Sequence, residues 1–121
     1  MNPPPMPTPD AVLAATLKVC AVDFETINDT GRHPRTTLAR RLFAYSCRRW
    51  TLLSYPQIGL ALGRRSHASA VEGDRRVRRE LEATPVAALL SHARAPGMGP
   101  WPVAHFVELI RRELFGKDGW A

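Results

Sequence analysis

No run of apolar residues in this 121-residue chain approaches the roughly 18 that a membrane-crossing helix needs, so a transmembrane span is excluded. The N-terminus lacks the basic-then-apolar pattern of a secretory signal, and the expectation is a soluble intracellular protein. Cysteine is scarce. Cys20 and Cys47 have no CxxC spacing and no neighbouring His pair, which argues against a zinc site and a disulfide framework, and both fall in apolar patterns suited to buried free thiols. His33, His67, His92 and His105 are not spaced as metal ligands, no Ser-His-acid set is evident, and no Gly-x-x-x-x-Gly-Lys-Ser/Thr phosphate loop occurs. No metal, no cofactor and no enzymatic activity are expected. The length allows one core with tails and leaves no room for a further catalytic domain of ordinary size.

What is present is arginine, unevenly placed. Residues 31–80 carry twelve Arg, no Lys and only Glu72, Asp74 and Glu80 as acids, a net +9, whereas the rest of the chain is net −3. Such a block either wets a surface or meets a polyanion, and too few acids lie within it to hold a catalytic magnesium. Apolar residues at 45% of the chain argue against global disorder.

The periodicity is helical throughout. Residues 1–9 hold five prolines and read as a flexible leader. Asp10 is placed to cap a first helix whose Val12, Leu13, Thr16, Leu17 and Cys20 share a face. Val22 to Ile27 is too short for a full helix, and the turn formers from Asn28 to Pro34 predict a short turn and a basic loop. Thr36 or Thr37 can cap a second long helix with Leu38, Leu42, Tyr45, Ser46 or Cys47, and Trp50 inward, ending near Leu52. Ser54-Tyr55-Pro56-Gln57 then carries an N-cap, a first-turn proline and a capping-box partner, with Ile58, Ala61 and Leu62 as the buried face. Gly63 suits a left-handed stop, and Ser66 caps a helix running to about Ala83. Two helices around a tight glycine turn, the second opening on Arg64-Arg65-Ser66-His67, form a helix-turn-helix.

Beyond it, Thr84-Pro85 signals a short helix over 86–93, and residues 95–102 read as a loop. A final helix follows, with Val103, Phe106, Val107, Ile110, Leu114 and Phe115 in an i, i+3, i+4, i+7 stripe. That stripe either covers the core or docks a homodimer partner or another protein. The second possibility supplies the competing functional reading, a protein-interaction adaptor. The expected division is a leader over 1–9, a helix-turn-helix domain over 10–83 and a helical extension over 84–121, all-α, as a helix bundle containing the helix-turn-helix with an extra C-terminal helix.

Ser54-Tyr55-Pro56-Gln57-Ile58-Gly59, Gly63-Arg64-Arg65-Ser66-His67 and Arg75-Arg76-Val77 together resemble the C-terminal DNA-binding domain of the bacterial replication initiator DnaA, a Trp-repressor-like helix-turn-helix, in register and without a gap from Ser54 to Val77. The resemblance extends to about residues 11–82. It implies a cytoplasmic, nucleoid-associated or phage-encoded protein that binds double-stranded DNA in transcription regulation or replication control, as a stand-alone domain without the ATPase. It makes Arg40 the basic-loop arginine of the minor groove. Arg65 falls on the motif arginine, and His67 and Ser69 on base or phosphate contacts in the major groove. Arg64 replaces a family glycine and adds charge. Ser66 replaces the family's Asp, exchanging an acceptor suited to cytosine N4–H₂ for a hydroxyl that also serves as a cap, and Ala68 and Ser69 replace its two threonines. Arg32, Arg35, Arg41, Arg75 and Arg76 are candidates for the DNA backbone, against the plainer reading of wetted arginines. Asp74 stands where the family often has an apolar residue, within i,i+4 reach of Arg78.

Overall fold

The computed structural model describes residues 6–28, 33–63, 66–83 and 102–116. The described residues form six helices and no strand: α1 Pro9–Cys20, α2 Phe24–Asn28, α3 Pro34–Trp50, α4 Tyr55–Ala61, α5 His67–Ala83 and α6 Val103–Phe115. The short helix expected after Pro85, and all but Pro102 of the loop before α6, lie outside the described residues.

Two helix starts differ from expectation for one reason. Pro9 and Pro34 occupy first-turn positions, where a missing N–H costs nothing, so each helix begins earlier than its hydroxyl or carboxyl residues suggest. Thr8, rather than Asp10, accepts the Ala11 amide, and Asp10 lies in the first turn, where its charge suits the positive helix end. His33, rather than Thr36 or Thr37, caps α3, accepting the Arg35 amide on Nδ1, and Thr36 is buried one turn inside. The basic loop therefore ends at His33, and Arg35, Arg40 and Arg41 are helical.

α1 stops in a Schellman motif. The amides of Val22 and Ala21 return to the carbonyls of Leu17 and Lys18 at 3.1 and 3.3 Å. Ala21 takes the left-handed conformation, φ 54°, without the freedom of glycine, which costs on the order of 1 kcal/mol. α2 is a five-residue helix that inserts Ile27 fully into the core and leaves Phe24 54% exposed.

The core forms around α3, which is packed by each of the other five helices. Leu42, Phe43, Ala44, Tyr45, Ser46 and Cys47 are all buried, so its inner stretch has no wet face. Val12 and Cys20 from α1, Ile58 from α4, Val77 from α5 and Ile110 from α6 complete the cluster. Burial also pushes the thiols of Cys20 and Cys47 up, to about 11 and about 12, so both stay protonated and inert at neutral pH.

The C-terminal stripe is directed inward, in keeping with the core alternative of the two that the sequence left open. Val107 and Ile110 are buried, and Val103, Phe106, Leu114 and Phe115 are half-buried against the same cluster. The Phe115 ring meets Trp50 edge-on at 5.9 Å. α6 lies on α1, α5 and α3, so these side chains are already covered within the chain.

Ile110→Ala is expected to lower unfolding free energy by roughly 2–5 kcal/mol in urea titrations, because it empties a fully buried site. A loss below about 0.5 kcal/mol would show that α6 contributes little to the core. Ala21→Gly should raise stability by up to about 1 kcal/mol by relieving the left-handed alanine, visible as a higher urea midpoint.

Candidate nucleic-acid interface

The helix-turn-helix assembles from local rules. At the head of α4 the Ser54 amide donates to Gln57 Oε1 at 2.8 Å, and the Gln57 amide donates back to Ser54 Oγ at 3.4 Å, a complete capping box. Ile58 and Leu62 are buried as expected, but Ala61 is exposed, and Gly59 takes the inward position in its place. The Leu62 amide closes α4 on the carbonyls of Ile58 and Gly59. Gly63 follows at φ +79°, and a Cβ there would stand 3.1 Å from the Asn28 carbonyl oxygen, so the turn needs glycine for both backbone angle and space.

α5 opens with Ser66 as its cap: Oγ accepts the Ser69 amide at 3.3 Å and lies 3.3 Å from Ser69 Oγ. The two hydroxyls replacing polar family positions are thus engaged with each other. Ser66, His67, Ala68 and Ser69 are all exposed, and no acid lies in the first turn. Ala70, Gly73, Asp74 and Val77 face inward against α3 and α4. A Cβ at Gly73 would come within 3.2 Å of Arg41 Cα. The sequence carried a signal for this contact, since a glycine inside a helical pattern costs about 1 kcal/mol and usually marks close backbone approach.

Beside this exposed helix start lies a cleft of about 560 Å³, whose walls include Thr37, Arg40 and Arg41 of α3, Gly59 of α4, and Ala68 and Ser69 of α5. The fold thereby brings together three of the expected contact residues, Arg40, Arg41 and Ser69, with the exposed His67 two residues before Ser69 on α5. Arg35 is exposed in the first turn of α3. Arg32, Arg64 and Arg65 lie outside the described residues.

Arg40 is half-buried within α3, and its guanidinium donates through Nε to the Ile27 carbonyl at 2.9 Å and through Nη2 to the Thr26 carbonyl at 3.5 Å. It thus holds the end of α2 through carbonyls left open where that helix terminates. Arg75 and Arg76 are exposed two turns and more beyond His67, among acids: Arg76 pairs with Glu80 at 3.1 Å, and Arg79 with Glu72 at 3.4 Å. These exposed pairs are worth well under 1 kcal/mol each and moderate the positive field of that face.

Asp74 gains a full account. Only 1% exposed, it accepts from Arg78 Nε on Oδ1 at 2.9 Å and from the Tyr55 hydroxyl on Oδ2 at 2.6 Å. The bond to Asp74 raises the Tyr55 phenol above its ordinary range and also raises Arg78, because deprotonation would cost each donor its hydrogen bond to the carboxylate. The i,i+4 spacing announced Arg78; Tyr55, nineteen residues away, had no local signal.

Gly63→Ala should destabilise the chain by about 1–3 kcal/mol, combining a left-handed non-glycine residue with crowding against Asn28. Thermal unfolding followed by circular dichroism measures it, and an unchanged midpoint would contradict this turn geometry.

Among the described residues no group of His, Cys, Asp or Glu could hold a metal ion, and no helix is long and apolar enough to cross a membrane. Residues 9–77 match the family described as the bacterial dnaA protein helix-turn-helix. Curated relatives include the chromosomal replication initiator protein DnaA of Corynebacterium aurimucosum, 32% identical over 74 residues, 61% of this chain and 14% of that protein. The protein of the same name from Cutibacterium acnes is 31% identical over 71 residues, 59% of this chain and 14% of its own length. The chain therefore aligns with about a seventh of each relative's length. With a matched family segment running from the start of α1 to the inward Val77 of α5, this chain belongs to the bacterial DnaA helix-turn-helix family.

Proposed function

We propose that the chain binds double-stranded DNA with sequence preference, entering the major groove with the start of α5, and acts in replication control or transcription regulation in the bacterial cytoplasm. The observation that carries this reading is the exposed, acid-free N-terminus of α5 beside a cleft walled by Arg40 and Arg41, in a chain of the DnaA helix-turn-helix family. A helix N-terminus presents open amides and the positive end of its dipole, and arginines alongside it add charge where a phosphate backbone would run.

Within this reading His67 and Ala68 face base edges, since the hydroxyls of Ser66 and Ser69 are engaged with each other. Arg41 and Arg40 take phosphates at the cleft, and Arg64 and Arg65 add charge just before the tip. A guanidinium already donating to two carbonyls is poorly suited to groove insertion, so the minor-groove arm is assigned to the basic segment leading into α3, with Arg32 and Arg35. Arg75 and Arg76 play a minor part, reaching only flanking phosphates. Ser66 supplies no carboxylate to accept from cytosine, so the preferred duplex should differ at that base pair from one read by an aspartate.

Selection of bound sequences from a random duplex pool tests the reading; a pool that yields no enriched duplex contradicts it. On the selected duplex, His67→Ala is expected to reduce the preference over random sequence by roughly 1–3 kcal/mol. Arg41→Ala should weaken binding to all sequences alike and lower the slope of log affinity against log salt by about 1.

A further inference from the structure

Among the described residues, the two helices of the motif are joined by one directional side-chain contact among smooth ones. Where α5 rests on its neighbours, its inward residues besides Asp74 are Ala70, Gly73 and Val77, which allow close approach but offer little to fix rotation or sliding. Asp74 does so: one carboxylate oxygen is held by the first residue of α4, the other by Arg78 of α5 itself. The Tyr55 ring is covered in turn by the Arg48 guanidinium of α3, 4.5 Å from its centroid, and Arg48 Nη1 donates to the Leu53 carbonyl at 3.1 Å. Three helices thus converge on one phenol. A buried carboxylate is a costly way to gain stability, and an apolar residue of similar volume serves that end as well. What it adds is orientation. His67 lies seven residues before Asp74, two turns or roughly 10 Å along the same helix face, so rotation of α5 at Asp74 is carried directly to the tip.

We propose that Tyr55, Asp74 and Arg78 form a positioning set that locks α5 onto α4 in the one orientation that presents His67 and Ala68 outward for base contact. The last clause rests on the DNA-binding reading; the locking of α5 does not.

The test uses the full chain with Tyr55→Phe, which removes one oxygen and keeps the ring under Arg48, and with Asp74→Asn alone and in combination. Two quantities are read at a temperature where each variant is folded: amide hydrogen exchange at residues 70–73, whose helical bonds are made to the first turn of α5, and the affinity ratio of a selected over a random duplex. Tyr55→Phe should raise exchange at 70–73 by tenfold or more while exchange in α1 stays unchanged, and lower the affinity ratio at least fivefold. Added to Asp74→Asn, it should have little further effect, because the two residues share one bond. Exchange at 70–73 that merely follows α1, or fully additive effects, overturns the locking role and leaves a purely structural contact. Should the unaltered chain bind no duplex, the DNA-binding reading fails, and the exchange measurement by itself still decides whether the set locks α5. Should exchange respond while the affinity ratio does not, the link from this set to base contact is overturned.

Discussion

At Gly73 the backbone of α5 approaches α3 so closely that an added Cβ would meet Arg41 Cα at 3.2 Å. The rest of the arrangement depends on that approach. It sets α5 on the central helix with Ala44 and Ala70 as thin spacers and lets Val77 reach the core. It also places the exposed start of α5 within one cleft of Arg40 and Arg41. A larger residue at 73 would lift α5 off α3 and, with it, the exposed helix start beside Arg40 and Arg41.

Around this contact, polar groups are used mainly to hold elements in place. Arg40 secures α2 by its terminal carbonyls, and Asp74 gathers α4 and α5. Ser66 and Ser69 close the first turn of α5 on each other, and the capping box closes the head of α4. Much of what reads in the sequence as a positive block is therefore tethered or paired in the structure. No acid occupies the first turn of α5. Further along α5, Glu72 and Glu80 interleave with the arginines.

The helices themselves were legible wherever capping chemistry was explicit. Ser54 with Gln57, Gly63 and Ser66 behave as their local rules require, because each bond closes within three or four residues. The α1 and α3 starts were misplaced because a proline preceded the residue taken as cap, and proline tolerance at the first turn extends a helix toward its N-terminus. Arg40 was legible as a helical, basic residue, but its bonds to the Ile27 and Thr26 carbonyls were not, because those acceptors lie thirteen and fourteen residues away.

The amino-acid sequence by itself determined the helical class, the glycine turn, the capped ends of α4 and α5 and the family register from α1 to Val77, since all of these rest on local spacing. Tertiary structure alone decided that the stripe on α6 meets the core, that Arg40 and Arg41 stand at one cleft with Arg40 also tied to carbonyls of α2, and why Asp74 is buried. Those outcomes turn on contacts between residues far apart in the chain, Tyr55 with Asp74 and Trp50 with Phe115 among them, whose geometry exists only once the helices have packed.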